Sequence, residues 1–254
     1  MIQEEALDQI TASLKKDNLV KAIFVKGSMG RGEYDESSDI DLYCLVEKED
    51  KEDFLTNRID HLRSYREILF YDDIFIIAPQ IIAIFDNMLH VDLFTVTEET
   101  LKEKDFIHVL HDPEHKLDRF IEKQNLFLSP DDFYSDAIDS VWFLFQYKKS
   151  AVRGNGLWSA AMLNQALTHF SKVLLHHYVP DRAQLGLKTL ESSLPPNLLK
   201  EIKEISNNIT PTTHKKAALL LQNILIQEKE WVLSMLKEDE RNKLKPFYER
   251  MMKK

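Results

Sequence analysis

A glycine-rich segment followed by two aspartates could bind a phosphorylated ligand and a metal ion. Three of the chain's six glycines lie in residues 27–32, and Asp39 and Asp41 follow them. Glycine lets a loop approach a ligand closely, and the N–H groups of such a loop can hold phosphate. The two aspartates are two residues apart on a predicted strand, so they point to the same face and can reach one metal ion. Phosphate binding beside a metal predicts phosphoryl or nucleotidyl transfer.

The Asp39–Asp41 pair favours a divalent cation on electrostatic grounds. Two unpaired carboxylates this close repel each other, which costs free energy. A divalent cation removes that cost, and Mg²⁺ commonly binds to one or two carboxylates together with substrate phosphate oxygens. The alternative is a strand end that carries two solvated acids. The glycine segment in front of the pair favours the metal site.

A third carboxylate is expected from a neighbouring strand, and Asp92 is the best candidate. It lies inside the apolar segment 89–96, where an unpaired charge is expensive. It could complete the metal site with Asp39 and Asp41, or act as the general base on an acceptor hydroxyl. The alternative is an edge-strand acid that faces water. Asp86 is a weaker candidate because the Asp-Asn dipeptide that it begins is typical of a turn.

The polar groups of the glycine segment are candidate phosphate ligands. Ser28 is placed to cap a short helix that begins here. We expect it to donate to a terminal phosphate, together with the amides of Gly27 and its neighbours. Arg31 could stabilise charge on a departing pyrophosphate, or it could pair with Glu33 or Asp35. The sequence leaves both roles of Arg31 open.

The elements that position these residues follow from the spacing of apolar side chains. Helices are predicted over residues 1–16, 49–66 and 114–123. Strands are predicted over 19–25, 40–46, 81–85 and 89–96, the last two joined as a hairpin. Two shorter apolar runs occupy 68–71 and 74–77.

The pattern changes near Ser129, after which long helical repeats replace the strand-like runs. Ser129 followed by Pro130 and two acids is typical of a helix start. Helices are predicted at 131–152, 157–178, 196–206 and 212–236, with a last segment to about residue 252. We therefore predict an α+β fold. A domain with a mixed sheet and flanking helices occupies residues 1–128, and an all-helical domain occupies residues 129–254.

The composition bounds the class of protein. The 254 residues carry a net charge of −9, which argues against a general nucleic-acid binder. Residues 1–129 contain 28 acidic and 15 basic side chains, a net charge of −13, whereas residues 130–254 contain 14 and 18, a net charge of +4. The single cysteine, Cys44, excludes an internal disulfide and is predicted in the core. No membrane-spanning run or signal peptide is visible, so a cytoplasmic protein is expected.

The helical half holds further candidates, each with a plainer alternative. Lys172, between apolar neighbours, is the main candidate phosphate contact, against snorkelling to solvent. Lys148 and Lys149 are weaker candidates. Aromatic side chains could stack on a base or on the acceptor, although aromatics at helical spacing more often belong to a core; they are Trp142, Tyr147 and Trp158. The histidines of this half lack the close spacing of a zinc site; they include His169, His176 and His177.

The motif Gly27-Ser28, Arg31-Gly32 and Ser38-Asp39-Ile40-Asp41-Leu42 resembles the signature of the polymerase-β-type nucleotidyltransferase superfamily. It lacks the lysine of a P-loop. The helical second half and the chain length resemble the aminoglycoside and lincosamide adenylyltransferases. The segment that runs from Ile84 to Asp92 is similar in layout to the one that supplies the third acid in lincosamide-modifying members. The motif covers about residues 20–96, and beyond it only the architecture is similar.

The resemblance implies that ATP, or another nucleoside triphosphate, binds with two Mg²⁺ ions held by Asp39 and Asp41. Asp92 joins them or deprotonates an acceptor hydroxyl, whose oxygen attacks the α-phosphorus while pyrophosphate leaves. The implied acceptor is a small molecule, with an aminoglycoside or lincosamide antibiotic as a candidate, which would connect the chain with antibiotic resistance. The resemblance further implies that the helical domain covers the nucleotide and forms the acceptor pocket, and that the protein is a homodimer.

Two other functions stay open at this point. The acceptor could be a protein side chain or an RNA end, although the acidic balance weighs against RNA. The chain could also be a catalytically silent module that binds a nucleotide, although the presence of all three acids weighs against silence. We expect no stable nucleic-acid partner and no membrane partner.

Overall fold

A mixed sheet of six strands forms the N-terminal part of the chain. The computed structural model describes residues 1–102 and 104–253, and the chain divides into two compact units, Met1–Asn125 and Leu126–Lys254. The strands of the first unit are β1 (Val20–Val25), β2 (Ile40–Val46), β3 (Ile68–Phe75), β4 (Pro79–Phe85), β5 (His90–Val96) and β6 (His108–His111). Its helices are α1 (Ile2–Leu14), α2 (Gly27–Arg31), α3 (Lys51–Arg63) and α4 (Asp118–Ile121).

The strands are arranged in the order β3-β4-β5-β2-β1-β6. Strands β2 and β5 pair in parallel, and the other neighbours pair antiparallel. A parallel pair needs a long crossover connection, which here contains α3 and the hairpin of β3 and β4. This topology places β2 and β5 in the middle of the sheet with their N-terminal ends side by side.

The two faces of the sheet are buried differently. On one face Ile40 and Leu42 are fully buried in a core that also contains apolar residues of α1 and α3. On the other face Tyr43 lies between the rings of Phe24 and Phe94, with ring centroids 5.1 and 4.4 Å apart. Since side chains alternate along a strand, burial of Ile40 and Leu42 turns the residues between and beside them to the face that carries Tyr43.

Several predicted elements differ in detail from the observed ones. The two short apolar runs at 68–71 and 74–77 belong largely to one strand, β3, which pairs along β4. The helix predicted at 114–123 is only the single turn α4. Strand β6 was not predicted; it is short and half-exposed, so its apolar signal is weak.

The second unit is helical in its described residues. Its α-helices are α5 (Pro130–Val152), α6 (Gly156–Tyr178), α7 (Leu187–Ser193), α8 (Pro196–Asn207), α9 (His214–Ser234) and α10 (Glu238–Met252). Ser129 caps α5 by accepting a hydrogen bond from the amide of Asp132, as predicted. The 3₁₀ helix Pro180–Leu185 and α7 were not predicted. The predicted fold class, a mixed sheet with helices followed by a helical region, is confirmed.

The remaining predictions about burial concern Cys44 and membrane-spanning segments. The Cys44 thiol is fully buried, and burial raises its pKa, which is typical of a core residue. Among the described residues, no helix combines the length and the apolar character that crossing a lipid bilayer requires.

Candidate active site

The parallel register of β2 and β5 brings the predicted acids together. Asp41 is the direct partner of Asp92, and Ile40 is the partner of Val91. Asp92 lies on an interior strand, because β4 pairs with the other edge of β5, so the alternative of an edge-strand acid is wrong. The residue is buried, with 8% of its surface exposed. A carboxylate in such a place requires a partner or a cation.

A histidine joins these acids. Asp39, His90 and Asp92 each offer one ligand atom, and these atoms lie within 4.8 Å of one another. Nε2 of His90 is 3.1 Å from Oδ1 of Asp92, and Nδ1 is 3.9 Å from Oδ2 of Asp39. The hydrogen bond to Asp92 and the nearby carboxylates, which include Asp41, raise the pKa of His90 against the opposing effect of burial. We call Asp39, His90 and Asp92 the acid–histidine cluster.

His90 was not predicted as a site residue. It precedes Asp92 by two residues on the same strand, so both side chains point to the same face, and this spacing was the available signal. Asp39 and His90 are about half and one-third exposed. A surface cleft lined in part by Ser38, Asp39 and His90 reaches the cluster, so a ligand from solvent has access to it.

Asp41 lies against the glycine segment. The amide of Lys26 donates to the main-chain oxygen of Asp41 at 3.0 Å. Gly27 has a φ of +61°, and a Cβ at this position would collide with Oδ2 of Asp41. Gly27 is therefore needed for both its backbone conformation and its close approach to a carboxylate.

The glycine segment forms the short helix α2 directly after β1. Its N-cap is Lys26, so the prediction of Ser28 as the cap is wrong, and Ser28 lies in the first turn. The first amides of a helix have no acceptor within the helix, and they include those of Gly27 and Ser28. A Cβ at Gly30 would collide with the main-chain oxygen of Phe106. Gly30 therefore allows α2 to pack closely against the main chain at Phe106.

Arg31 takes part in ion pairs at the end of α2. Its Nε lies 2.9 Å from Glu33, and its Nη1 lies 2.7 Å from Asp105. Burial lowers the pKa of Arg31, but the hydrogen bonds to the two carboxylates outweigh it and raise the pKa. Of the two anticipated partners, Glu33 is observed, and Asp105 takes the place suggested for Asp35.

Lys26 is a buried cation that the sequence analysis did not single out. Its ammonium donates to the main-chain oxygens of Lys102 and Lys104, both at 2.8 Å, and lies over the ring of Tyr43. Desolvation lowers its pKa to about 8 despite the attraction of Asp105. The contacts of Lys26 and Arg31 thus link residues 102, 104 and 105, which follow β5, to the glycine segment.

The candidates of the helical unit make contacts within that unit. Nζ of Lys172 lies 3.3 Å from Oδ1 of the buried Asp136, which His169 also approaches at 2.8 Å. Lys148 donates to the main-chain oxygen of Met251 at 2.7 Å. Tyr147 is buried, as a core aromatic would be, whereas about half of the Trp142 and Trp158 surfaces is exposed. His176 contacts the ring of Phe133.

The residues of the first unit fit a divalent cation. The acid–histidine cluster combines carboxylate oxygens with an imidazole nitrogen, and both donor types bind divalent metals. Asp41 lies next to Asp92 in the sheet register. The described residues therefore offer a site where a metal could bridge the protein and a phosphate of a bound ligand.

The fold and this site agree with the result of a comparison with protein families. Residues 7–138, more than half of the chain, match the model of the nucleotidyltransferase domain. The chain therefore belongs to the nucleotidyltransferase domain family, and we assign it as a nucleotidyltransferase enzyme. The resemblance noted in the motif of residues 27–42 is confirmed at the level of the family.

Two solved structures are similar to the chain. One is an aminoglycoside 6-adenyltransferase from Bacillus subtilis, with 11% identity over 97% of this chain and 98% of that chain and a TM-score of 0.37. The other is a nucleotidyltransferase-like protein from Exiguobacterium sibiricum 255-15, with 13% identity over 89% of this chain and 75% of that chain and a TM-score of 0.40. No curated protein sequence matches the chain.

Proposed function

We propose that the protein transfers a nucleoside monophosphate, AMP from ATP, to a hydroxyl group of a small molecule and releases pyrophosphate. The observation that supports this most directly is the register of β2 and β5, which sets Asp41 beside Asp92 next to the glycine segment. The family match to residues 7–138 covers all of these residues. We assign the chemistry to residues 1–128.

Each acid has a role in the proposal. Asp39 and Asp41 would hold divalent cations, with Mg²⁺ as the expected ion and two ions as the expected number, and Asp92 would join them as a ligand or act as the base. Such cations supply positive charge to the triphosphate and to the charge that develops during transfer. We propose Gly27 and Ser28 as phosphate contacts. Arg31 and Lys172 stay predicted contacts of the nucleotide.

The proposed reaction forms one bond and breaks another. The acceptor oxygen attacks the α-phosphorus, and the bond from this phosphorus to the bridging oxygen of the pyrophosphate breaks. The hydroxyl proton passes to a carboxylate, for which Asp92 is our candidate because it is the most buried of the three acids. The leaving group is pyrophosphate.

The acceptor class is a further part of the proposal. A hydroxyl-bearing antibiotic of the aminoglycoside or lincosamide type is the candidate, and resistance to it would be the biological consequence. The protein acceptor, the RNA acceptor and the silent module are the competing outcomes. We also predict that the protein is cytoplasmic and forms a homodimer.

The test measures pyrophosphate release from each nucleoside triphosphate with Mg²⁺ and a panel of aminoglycosides, lincosamides, an RNA end and a protein acceptor. Asp39→Asn and Asp41→Asn should abolish the release. Asp60→Asn, which changes an exposed acid on α3, is the matched control and should keep it.

Two results would contradict the proposal. Release that survives Asp39→Asn or Asp41→Asn would remove these residues from the chemistry. Nucleotide binding without release for every acceptor would favour the silent module.

A further inference from the structure

We infer that His90 is a direct metal ligand, so that the acid–histidine cluster binds a transition-metal ion such as Mn²⁺ more tightly than Mg²⁺. The inference rests on the proposed function only because it takes Asp39 and Asp92 as ligands of the same ion. It adds a nitrogen donor and a metal preference to a site that the sequence predicts from carboxylates alone.

The sheet fixes the donors on one face. Asp41 and Asp92 are register partners, so in a regular parallel ladder the residue two positions earlier on each strand forms the next pair on the same face. These residues are Asp39 and His90, and their side chains do approach each other, at 3.9 Å. His90 is therefore placed by the same backbone geometry that places the acids, and its position does not depend on a flexible loop.

The separations match donors that share one ion. Metal–ligand bonds to imidazole nitrogen and carboxylate oxygen are about 2.0–2.2 Å long, so two donors on one ion are at most about 4.4 Å apart. The observed 3.1 Å between Nε2 of His90 and Oδ1 of Asp92 lies inside this limit. One ligand atom of each of the three residues lies within 4.8 Å of the others, so a small movement of the half-exposed Asp39 side chain would bring all three within this limit.

The donor set decides the preferred ion. Mg²⁺ selects oxygen ligands and keeps several waters, whereas imidazole nitrogen suits transition metals, whose affinity rises from Mn²⁺ through Co²⁺ and Ni²⁺. One imidazole with two carboxylates therefore favours Mn²⁺ over Mg²⁺. A site of carboxylates alone would discriminate less between the two ions.

The competing role for His90 is that of a positioning residue. In that role its ring would only hold Asp92 through the hydrogen bond of 3.1 Å and would stay outside the coordination sphere. Both roles predict weaker metal binding when His90 is replaced. Only direct ligation predicts a magnetic coupling between the metal electrons and a ring nitrogen.

The experiment uses the full chain with Mn²⁺ alone. Continuous-wave electron paramagnetic resonance gives the affinity, pulsed measurements report coupling to ¹⁴N, and competition with Mg²⁺ gives the preference. The wild type should show ¹⁴N coupling. His90→Asn should lose the coupling and weaken Mn²⁺ binding by at least about tenfold, as for lost ligand-shell groups, with a smaller change for Mg²⁺.

The matched control is His115→Asn. His115 is 79% exposed and, like His90, has an acid nearby, since its Nδ1 lies 3.6 Å from Asp118. Its φ of +57° is one that asparagine tolerates. This variant should keep both the affinity and the ¹⁴N coupling of the wild type. Circular dichroism of His90→Asn confirms that any change does not come from unfolding.

The outcomes separate this inference from the proposed function. Bound Mn²⁺ without ¹⁴N coupling, coupling that persists in His90→Asn, or no bound Mn²⁺ at all would each overturn direct ligation by His90. Pyrophosphate release would be unaffected by the first two results. Conversely, ¹⁴N coupling that His90→Asn removes, in a protein that releases no pyrophosphate, would uphold the metal site and contradict the transferase.

Discussion

At the scale of single residues, Asp92 is the acid of the site whose burial costs the most free energy. It is the buried acid, on an interior strand, beside His90 and opposite Asp41. Asp92→Asn keeps the size of the side chain but removes the charge and the capacity to accept a proton. We expect kcat to fall by at least about tenfold, as for the loss of a general base.

Steady-state measurement of pyrophosphate release checks this expectation for Asp92, with Asp60→Asn again as the control. Wild-type turnover in Asp92→Asn would remove this residue from the chemistry. A raised KM with unchanged kcat would show that Asp92 stabilises the bound substrate and the transition state equally and does not act in the chemical step.

Gly27 gives a second prediction at this scale. Gly27→Ala must accept a positive φ, which costs about 1–2 kcal/mol, and must also displace the Asp41 carboxylate. Gly32→Ala meets the same strain at a φ of +69° but has open space. Only Gly27→Ala should therefore combine lower stability with a large loss of turnover.

Urea unfolding and pyrophosphate release separate the two effects. Equal losses of turnover in Gly27→Ala and Gly32→Ala would show that backbone strain is the whole cause and that the approach to Asp41 does not matter.

The sequence predicted the acids of the site better than it predicted their neighbours. Asp39 and Asp41 could be chosen because two acids two residues apart on a strand, after a glycine-rich segment, can reach one metal ion. Asp92 could be chosen because a charge inside an apolar strand is costly. His90 and Lys26 were missed for a different reason. A histidine beside a strand, or a lysine before a glycine, has no fixed meaning until the register and the packing show what it touches.

At the scale of elements, strand β3 shows how a salt bridge can stabilise an exposed edge. Asp73 on β3 is 61% exposed, yet it pairs at 2.6 Å with Arg58 of α3, which is 1% exposed and also donates to Thr95 of β5. Asp73→Asn therefore leaves a buried guanidinium without its carboxylate. We expect a loss of about 1–3 kcal/mol in the free energy of unfolding, the usual cost of an unsatisfied buried group.

The neighbouring residue Asp72 is the control, because it is exposed on the same strand. Asp72→Asn should change the free energy of unfolding by no more than about 0.5 kcal/mol, as for ordinary surface positions. Equal urea midpoints for the two variants would contradict a stabilising role for the Arg58–Asp73 pair.

Helices α6 and α9 are joined by a buried carboxylate that predicts a pH effect. Glu228 of α9 accepts hydrogen bonds at 2.7 Å from Tyr178 and His177 of α6. Burial, and then the bond to Glu228, raise the pKa of Tyr178 from 10.0 to about 12. Between these pH values the folded state binds more protons than the unfolded state, so stability should fall as the pH rises.

Tyr178→Phe removes this titration and should show a smaller decline of the unfolding free energy between pH 10 and pH 12 than the wild type. Urea unfolding at several pH values measures it, and Tyr71→Phe on exposed β3 is the control. Parallel declines in the wild type and Tyr178→Phe would show that Tyr178 does not couple to folding.

Long elements could be predicted and short ones could not, for identifiable reasons. Helices α5, α6 and α9 repeat their apolar spacing over many turns, and Ser129 marks the start of α5. Strand β3 was divided because Asp72 and Asp73 interrupt its apolar run, and the sequence does not show that β3 is an edge strand on which both acids are exposed. The 3₁₀ helix after α6 is too short for periodicity to be visible.

At the scale of the whole molecule, the buried clusters follow the division of the chain. The apolar clusters of the sheet use described residues up to Ile121, and the helical cluster begins at Leu128. The net charges of −13 and +4 calculated for the two halves also apply to the two units, because residues 126–129 are uncharged.

Because the helical cluster is complete within its own unit, we expect residues 126–254 to fold alone. Circular dichroism should show a helical spectrum with a cooperative thermal transition. A fragment 1–125 should likewise retain a cooperative transition. A fragment 126–254 that unfolds without cooperativity would contradict independent folding of the helical unit.

Apolar residues on one face of the sheet fix the register of β2 and β5. Slipping either strand by a single residue would turn Asp41 or Asp92 into the apolar core that holds Leu42 and Leu93. The alignment of Asp41 with Asp92 therefore depends on buried apolar residues on the opposite face of the sheet, which lie away from the candidate site.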